Sequence, residues 1–195
     1  RNKVIVIDGD VCPPKLAIVI HTEEEFDWGG GFNIDATSVS HGEELFALVQ
    51  SLSLMGAKTT LAMDYPFVSS VQGQHCIASI KASKEISKNV EFGAHLHPWV
   101  NPPFEQTAGF VPEHLSYPGN LGYEQERAKL AELTSKISEQ TGTRPVTYLA
   151  GRYGIGDNTH QVLNELGYKI DVSISPFADY RHQHGPDFRN FNNDI

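Results

Sequence analysis

The sequence predicts an α/β fold built on parallel strands. Short apolar runs rich in β-branched residues alternate with segments in which apolar residues recur at helical spacing. The apolar runs are continuous, as expected for strands covered on both faces of a sheet. A chain of 195 residues is the size of one domain with a full hydrophobic core. We therefore expect a single domain over residues 1–195.

The predicted strands are short and end at glycines, prolines or polar residues. They span residues 3–7, 16–20, 59–63, 90–97, 145–151 and 168–174. Helical patterns separate most of them, which is typical of βα units and of a parallel sheet. A proline-rich stretch at 98–118 is predicted to be a long loop, and long loops inside compact domains often have a functional role.

The predicted helices have clear boundary signals. Ser40 and Glu43 have the spacing of a capping box, which predicts the start of a helix that Gly56 ends. Three further helices are predicted, one up to Lys88, one from Tyr123 to Gly142, and one capped by Asp157 and extending to Leu166.

Composition excludes several classes of partner. The chain has 24 acidic and 15 basic residues, a net charge of −9, and its basic residues are scattered, which argues against nucleic acid or an anionic membrane surface. Cys12 and Cys76 lack the spacing of a zinc knuckle or a disulfide framework. There is no apolar run long enough for a membrane span and no signal-peptide pattern, so we expect a soluble chain. Neither the compartment nor the oligomeric state follows from the sequence.

Polar clusters follow the predicted strands. They comprise residues 21–27, Asp64, His95 with His97, Arg152 and Asp171. Because the carboxyl ends of parallel strands meet at one edge of a sheet, we expect these side chains to converge on a site.

His95 and His97 are the strongest metal-ligand candidates. Residues two apart on a strand project from the same face, so both imidazoles can reach one ion. Glu23 or Glu24 can supply a carboxylate, and this donor set suits catalytic zinc, or iron or manganese if more oxygen ligands join. The alternative is structural: one histidine packs against Trp99 and the other caps a loop.

The acidic run HTEEEFDW and the segment AGRYGIG are the other two candidates for chemistry. The acids could form a solvated loop, but Phe26, Trp28 and three glycines around them favour a cleft wall. Arg152 can hold a carboxylate or an oxyanion, or it can pair with Asp171 or Asp157 for structural reasons. GRYGIGD lacks the lysine and hydroxyl of a P-loop, which excludes a nucleotide site of that type.

Five segments together resemble a known family. HTEEEFDW, EFGAHLHPWVNPP, LSYPGNL, AGRYGIG and GYKIDVSISP occur in the order and spacing of a branch of the polysaccharide deacetylase (NodB homology) family, carbohydrate esterase family four (CE4). The resemblance covers residues 16 to 188. It implies a distorted, incomplete (β/α) barrel that binds one divalent metal ion, expected to be zinc. It also implies hydrolysis of N-acetyl groups on an amino-sugar polysaccharide such as chitin or peptidoglycan.

The resemblance also assigns roles to individual residues. By position, His95 and His97 match the metal-binding histidines, and Glu23 or Glu24 matches the acid of the first motif. Arg152 and Asp171 lie in the third and fourth motifs and are expected to be catalytic. Trp28, Trp99 and Tyr153 are expected to bind the carbohydrate substrate.

The chain departs from the family pattern at three places. His21 occupies the position of the usual aspartate base, and Leu149 that of the arginine that orients it, so activity is expected to be impaired unless the His21 imidazole acts as the base or as a further ligand. The motif that supplies the general acid should follow residue 188. We therefore expect the C-terminus to be truncated, with His182 or His184 as weak substitutes.

Three functions remain open from the sequence. The first is a metal-dependent N-deacetylase with a shifted base. The second is a catalytically silent glycan-binding module with aromatic walls formed by Trp28, Trp99, Phe104 and Tyr153. The third is a hydrolase of small non-carbohydrate amides, which a loop 98–118 closed over the site would favour.

Overall fold

The computed structural model describes residues 16–105 and 109–191, and these form one α/β unit. The strands are β1 Ile18–Thr22, β2 Phe32–Asn33, β3 Thr59–Met63, β4 Val90–Leu96, β5 Phe110–Val111, β6 Thr147–Ala150 and β7 Ile170–Asp171. The α-helices are α1 Gly42–Leu54, α2 Tyr65–Ser69, α3 Val71–Ala82, α4 Lys84–Ser87, α5 Tyr123–Thr141 and α6 Thr159–Glu165. The predicted strand at 3–7 lies outside the described residues.

Five strands form a parallel sheet in the order β1-β3-β4-β6-β7. Helices connect successive strands, which confirms the predicted α/β architecture. Within the described ranges the sheet does not close on itself, as expected for an incomplete (β/α) barrel. β2 and β5 form a separate antiparallel pair. No helix in these ranges is both long and apolar enough to cross a membrane.

The main core lies between this sheet and the helices. All four residues of β6 are buried, because the central strands are covered on both faces. Phe67, Ile77 and Leu133 bring three helices onto the strands, and each is at most 1% exposed. Burial of these side chains is the dominant favourable contribution to folding and holds the strand ends in register.

Two predicted helix starts are wrong. Ser40 does not cap α1, because its hydroxyl and its backbone N–H both donate to the Glu25 carboxylate; His41 occupies the N-cap position without a side-chain cap bond. α6 begins after Asn158 rather than after Asp157. By contrast, Gly142 ends α5 in a left-handed conformation (φ 79°), as predicted.

The predicted helix up to Lys88 is two helices, α3 and α4. Ser83 has an extended backbone that ends α3, and its side chain accepts a hydrogen bond from the Ile86 N–H at the start of α4. Ser70 separates α2 from α3 in the same way, by accepting from Gly73 N–H. Serine hydroxyls compete with the helical hydrogen-bond pattern, which explains both breaks.

The loop at 98–118 is tied to α5 and is not structureless. Lys129 Nζ donates to the carbonyl oxygens of Asn101 (2.6 Å) and Pro103 (2.8 Å), and Asn101 Nδ2 donates back to Lys129 O (2.9 Å). Burial lowers the pKa of Lys129 to about 8. The described parts of this loop, 98–105 and 109–118, include β5 and a turn of 3-10 helix at residues 113–116, and a second 3-10 turn follows at 118–120.

Glu126 on α5 is a buried carboxyl that should make stability depend on pH. It is 1% exposed, and its Oε2 has no hydrogen-bond partner, whereas Oε1 accepts from the Thr159 hydroxyl (2.6 Å). Burial raises the pKa of Glu126 from 4.5 to about 7. Because the folded state holds this proton more tightly than the unfolded state, the contribution to stability is full below pH 4.5 and is lost as the pH rises to about 7.

Glu126→Gln should therefore become progressively more stable than the wild type as the pH rises. We expect the difference in unfolding free energy to change by up to about 3 kcal/mol between pH 4.5 and pH 8, because one pKa unit corresponds to about 1.4 kcal/mol. Urea unfolding of both proteins across this range measures the change. A constant difference would contradict the raised pKa. Glu124→Gln in the first turn of α5 is the control.

Candidate metal centre and its cleft

The ends of three neighbouring strands carry the candidate ligands. Glu23 and Glu24 follow β1, Asp64 follows β3, and His95 and His97 lie at the end of β4. The parallel registers β1–β3 and β3–β4 bring these ends together at one edge of the sheet. The convergence predicted from the sequence is therefore confirmed for these three strands, whose apolar residues pack in the core while their polar ends line the site.

One carboxylate oxygen of Glu23 is surrounded by imidazole nitrogens. Glu23 Oε2 lies 2.9 Å from His95 Nε2, 3.6 Å from His97 Nε2 and 3.6 Å from His21 Nδ1. Burial alone would raise the pKa of Glu23, but the surrounding imidazoles of His21, His95 and His97 lower it below its usual value. Glu23 is therefore ionised near neutral pH.

The tautomer of His95 directs a lone pair at this carboxylate. His95 Nδ1 lies 2.9 Å from Leu149 O, and a carbonyl only accepts, so Nδ1 carries the hydrogen. Burial, followed by the neighbouring His97, lowers the pKa of His95 and favours the neutral ring. In the neutral ring the Nε2 lone pair faces an anionic oxygen at 2.9 Å, an arrangement that a shared cation would stabilise. This donor set fits a divalent metal ion.

A second acidic group supports His97 from its other side. His97 Nδ1 lies 2.9 Å from Glu24 Oε2 and 3.8 Å from Asp64 Oδ2. Asp64 Oδ2 accepts from Glu24 N–H (2.9 Å), and Oδ1 accepts from Phe67 N–H (2.7 Å), which caps α2. Burial raises the pKa of both Glu24 and Asp64, and His97 Nδ1 lies nearer to the Glu24 carboxylate than to that of Asp64. Glu24 then accepts the His97 Nδ1 hydrogen.

Two groups among the described residues have ligand atoms close enough to hold a metal ion. One is His21, Glu23 and His95, and the other is Glu24, Asp64 and His97, each with ligand atoms within 4.8 Å of one another. Sequence reasoning placed Asp64 at a strand end without giving it a role. The signal was its position directly after the buried strand TTLAM.

The three consecutive glutamates have three different environments. The Glu23 side chain is 25% exposed and faces the histidines, Glu24 is fully buried, and Glu25 is 43% exposed. Glu25 accepts from Ser40 N–H (3.0 Å) and lies 3.7 Å from His41 Nδ1, so it fixes the chain before α1. Only Glu25 of these three behaves as a surface acid.

Trp99 does not line the cleft, which corrects its predicted role in carbohydrate binding. Its side chain is 0% exposed and stacks on the His97 ring with centroids 4.3 Å apart. Phe26 and Phe32 pack on it at 5.0 Å each. A ring without exposed area cannot stack on a sugar, so Trp99 instead holds His97 in place. One part of the structural alternative is therefore present, since His97 packs against Trp99. His97 also keeps its polar contacts with Glu23 and Glu24.

The turn after β6 begins at Gly151, where there is no space for a side chain. A Cβ added at this position would lie 2.3 Å from Leu96 O and 2.7 Å from His97 Cδ2. Only glycine allows β6 to approach the histidine strand this closely. The glycine therefore serves packing beside the candidate metal centre.

An aromatic cavity of about 510 Å³ adjoins the histidine cluster. Trp28, which is 59% exposed, and Tyr153 both line it; these are the other two residues predicted to bind the carbohydrate. The Tyr153 ring lies 5.8 Å from the His21 ring and connects the cavity to the cluster. The remaining lining residues are Gly31, Phe32, Glu113, Tyr117, Arg152, Tyr180 and Gln183.

Arg152 lies in this cavity and not among the histidines. Its guanidinium donates to Ser116 Oγ (2.6 Å) and Gln183 Oε1 (2.8 Å). Its contact with a carboxylate is to Glu113, at 3.4 Å, so the predicted alternative pairing with Asp171 or Asp157 is not what the structure has.

Asp171 is also separate from the cluster. Its exposed carboxylate accepts from the backbone N–H (2.9 Å) and the hydroxyl of Ser173, whose Oγ accepts from Ala150 N–H (2.7 Å). These bonds tie the segment after β7 to β6, and the catalytic role expected for Asp171 stays a prediction. Neither candidate metal group in the described ranges includes His182 or His184, and the His184 ring contacts His114 instead.

Comparison with solved structures identifies the fold. A CE4 family pseudoenzyme from Bacillus anthracis aligns over 79% of the chain with a TM-score of 0.50 and 13% identity. A mutant of that pseudoenzyme aligns over 80% with a TM-score of 0.51 and 13% identity. The chain has the CE4 fold. A suggested polysaccharide deacetylase from Mycobacterium smegmatis is 17% identical over 80% of the chain, with a TM-score of 0.46.

The comparison is limited to the fold. The chain spans 42%, 44% and 50% of the lengths of these three structures. No family model matches the sequence, and no curated protein matches it. Activity must therefore be inferred from the residues of this chain that the fold brings together.

Proposed function

We propose that this protein is a metal-dependent hydrolase that removes N-acetyl groups from an amino-sugar polysaccharide. The observation that carries this proposal is the position of Glu23 Oε2, 2.9 Å from His95 Nε2 and 3.6 Å from His97 Nε2. One carboxylate and two imidazoles are a donor set of catalytic zinc, which is the metal we expect. When bound, such an ion polarises the amide carbonyl and lowers the pKa of a water molecule.

The buried acids orient the ligands. Glu24 accepts the Nδ1 hydrogen of His97, which leaves the Nε2 lone pair free to bind the ion. Leu149 O does the same for His95. Asp64 fixes Glu24 through its backbone, so the three groups keep both imidazoles in the tautomer that ligation requires.

His21 is the base in this proposal. Its side chain is 40% exposed, and its ring lies 5.0 Å from the His95 ring, so it faces both solvent and the ligands. The imidazole takes a proton from the attacking water, and the imidazolium formed is stabilised by Glu23, 3.6 Å from Nδ1. The same proton then passes to the leaving amine as the C–N bond breaks, which releases acetate and the free amino sugar.

Acetate release from an N-acetylated oligosaccharide tests the proposal. We expect zinc-dependent turnover that His95→Ala abolishes and that His21→Ala lowers by about 10²- to 10⁴-fold, the usual contribution of a general base. His21→Asp, which restores the carboxylate typical of the family motif, should retain activity. Glu25→Gln is the control, since Glu25 only fixes the chain before α1. Unchanged turnover in His21→Ala would exclude His21 as the base.

The second candidate is a catalytically silent glycan-binding module. The aromatic cavity next to the cluster favours it, because sugar binding there needs Trp28 and Tyr153 but no metal ion. A neighbour with the same fold is described as a pseudoenzyme. In this case zinc-loaded protein would release no acetate, and glycan binding would survive His97→Ala.

A further inference from the structure

We propose that the aromatic cavity binds the carboxylate of an acidic sugar through Arg152, so that the glycan substrate contains carboxylate-bearing residues. This deepens the proposed function and rests on it for the link to deacetylation. The binding claim itself rests on the cavity, on the charge of Arg152 and on the backbone that positions it.

Arg152 is a buried cation with incomplete compensation. Its side chain is 8% exposed, yet two of its three hydrogen-bond acceptors, Ser116 and Gln183, are neutral. The third, Glu113, is 3.4 Å away, and its side chain is 50% exposed. Removing a charge from water is unfavourable unless an opposite charge and good hydrogen bonds replace the solvent. An anionic ligand would supply what this site lacks.

The backbone holds the guanidinium in the cavity. Arg152 and Tyr153 both have left-handed conformations, with φ of 55° and 58°. Such conformations are unfavourable for residues other than glycine and persist where surrounding contacts enforce them, often at ligand sites. Here Gly154 N–H donates to Gly151 O (2.9 Å), and Gly154 O accepts from Gly119 N–H (2.6 Å). The turn is therefore fixed on both sides of Arg152.

The walls of the cavity suit a sugar ring next to a carboxylate. The Arg152 guanidinium carbon lies 4.1 Å from the Tyr117 ring centroid and 6.0 Å from that of Trp28. Aromatic faces hold a guanidinium without neutralising it, so a ligand carboxylate that replaces the 3.4 Å contact of Glu113 at Nη2 would supply the missing charge. A volume of about 510 Å³ is in the range of small-molecule sites. The exposed Trp28 ring offers a face for stacking.

Substitution of Glu113 provides a second test, in which the expected change in affinity has the opposite sign to that for Arg152. Its carboxylate competes with a ligand carboxylate for Arg152 Nη2, and its half-exposed side chain is free to move to solvent. Glu113→Gln should therefore tighten the binding of acidic sugars, whereas Arg152→Gln should weaken it. Arg127→Gln is a matched control, because Arg127 is an exposed arginine on α5 that pairs with Glu165 outside the cavity.

The experiment measures the affinity of the zinc-loaded protein for two oligosaccharides by calorimetric titration. Both alternate hexuronic acid with N-acetylated amino sugar, and in one of them the carboxyl groups are methyl esters. We expect the wild type to bind the acid at least about tenfold more tightly than the ester. Arg152→Gln should remove this difference, Glu113→Gln should increase it, and Arg127→Gln should leave it unchanged.

Equal binding of acid and ester by the wild type would overturn the proposal. A preference for the acid that survives in a folded Arg152→Gln protein would also overturn it. If Arg152→Gln does not fold, the response of Glu113→Gln decides the matter, since no increase in preference means that Arg152 does not bind the carboxylate. Acetate release is measured separately, so acid-selective binding without turnover would reject the deacetylase and keep the cavity assignment.

Discussion

Glu23→Gln should abolish binding of the proposed divalent metal ion, whereas Glu25→Gln, two residues away, should retain it. Glu23 Oε2 is the anionic oxygen that three imidazole nitrogens face, at 2.9, 3.6 and 3.6 Å. The glutamine amide is neutral, so the substitution removes the negative charge on which the affinity of these ligands for a metal ion depends. Glu25 contacts Ser40 and His41, outside both candidate metal groups. Glu24→Gln should have an intermediate effect, lowering affinity by about 10- to 100-fold, because Glu24 orients His97 without binding the ion.

These glutamate variants are tested by measuring their metal content by mass spectrometry. The proteins are purified without a polyhistidine tag and without a chelator. We expect near-stoichiometric zinc in the wild type and in Glu25→Gln, and none in Glu23→Gln or His97→Ala. Competition with a fluorescent chelator then ranks Glu24→Gln. Loss of metal in Glu24→Gln with full retention in Glu23→Gln would move the ion to the group formed by Glu24, Asp64 and His97. Absence of metal from all variants and the wild type would reject the metal centre.

Trp99→Ala should destabilise the protein by about 3–5 kcal/mol, the range for deleting a large buried aromatic side chain. The ring is 0% exposed and packs on Phe26, Phe32 and His97, so its removal leaves a cavity below the candidate metal ligands. His97 also loses the surface that fixes its ring plane. We therefore expect weaker zinc binding in addition to a lower free energy of unfolding.

Trp28→Ala is the matched control for this change. Trp28 is 59% exposed, so its removal should alter the unfolding free energy by less than about 1 kcal/mol while weakening glycan binding. Urea unfolding and glycan titration of both variants separate the two roles. A Trp99→Ala protein with wild-type stability and reduced glycan affinity would place the Trp99 ring on the cleft wall and contradict its burial.

Local sequence was sufficient for the architecture. The alternation of apolar runs and helical patterns predicted a parallel α/β fold, because burial on both faces imposes a continuous apolar run on a strand. Gly142 marked a helix end, since a left-handed residue is needed there. The two-residue spacing of His95 and His97 predicted that both reach one site, because strand geometry fixes that side-chain direction. These features depend on neighbours along the chain.

Other features depended on residues distant in sequence. Ser40 fitted a capping box, but the Glu25 carboxylate, brought close by the fold, takes its hydroxyl. Trp99 was expected on the cleft wall, yet packing against Phe26 and Phe32 buries it. Neither result follows from local pattern, because each depends on competition between partners that meet only in the folded chain.

The acidic run shows which features the sequence determined and which depended on the tertiary structure. The sequence by itself determined that three carboxylates follow a buried strand and lie near a histidine pair. It did not determine which of them faces the histidines, since a chain leaving a strand has no fixed side-chain period. Only the tertiary structure placed Glu23 among the imidazoles, Glu24 in the interior beside Asp64, and Glu25 at the surface beside Ser40. The physical reason is that ligation and burial are set by contacts between β1, β3 and β4, which are far apart in the chain and adjacent in the sheet.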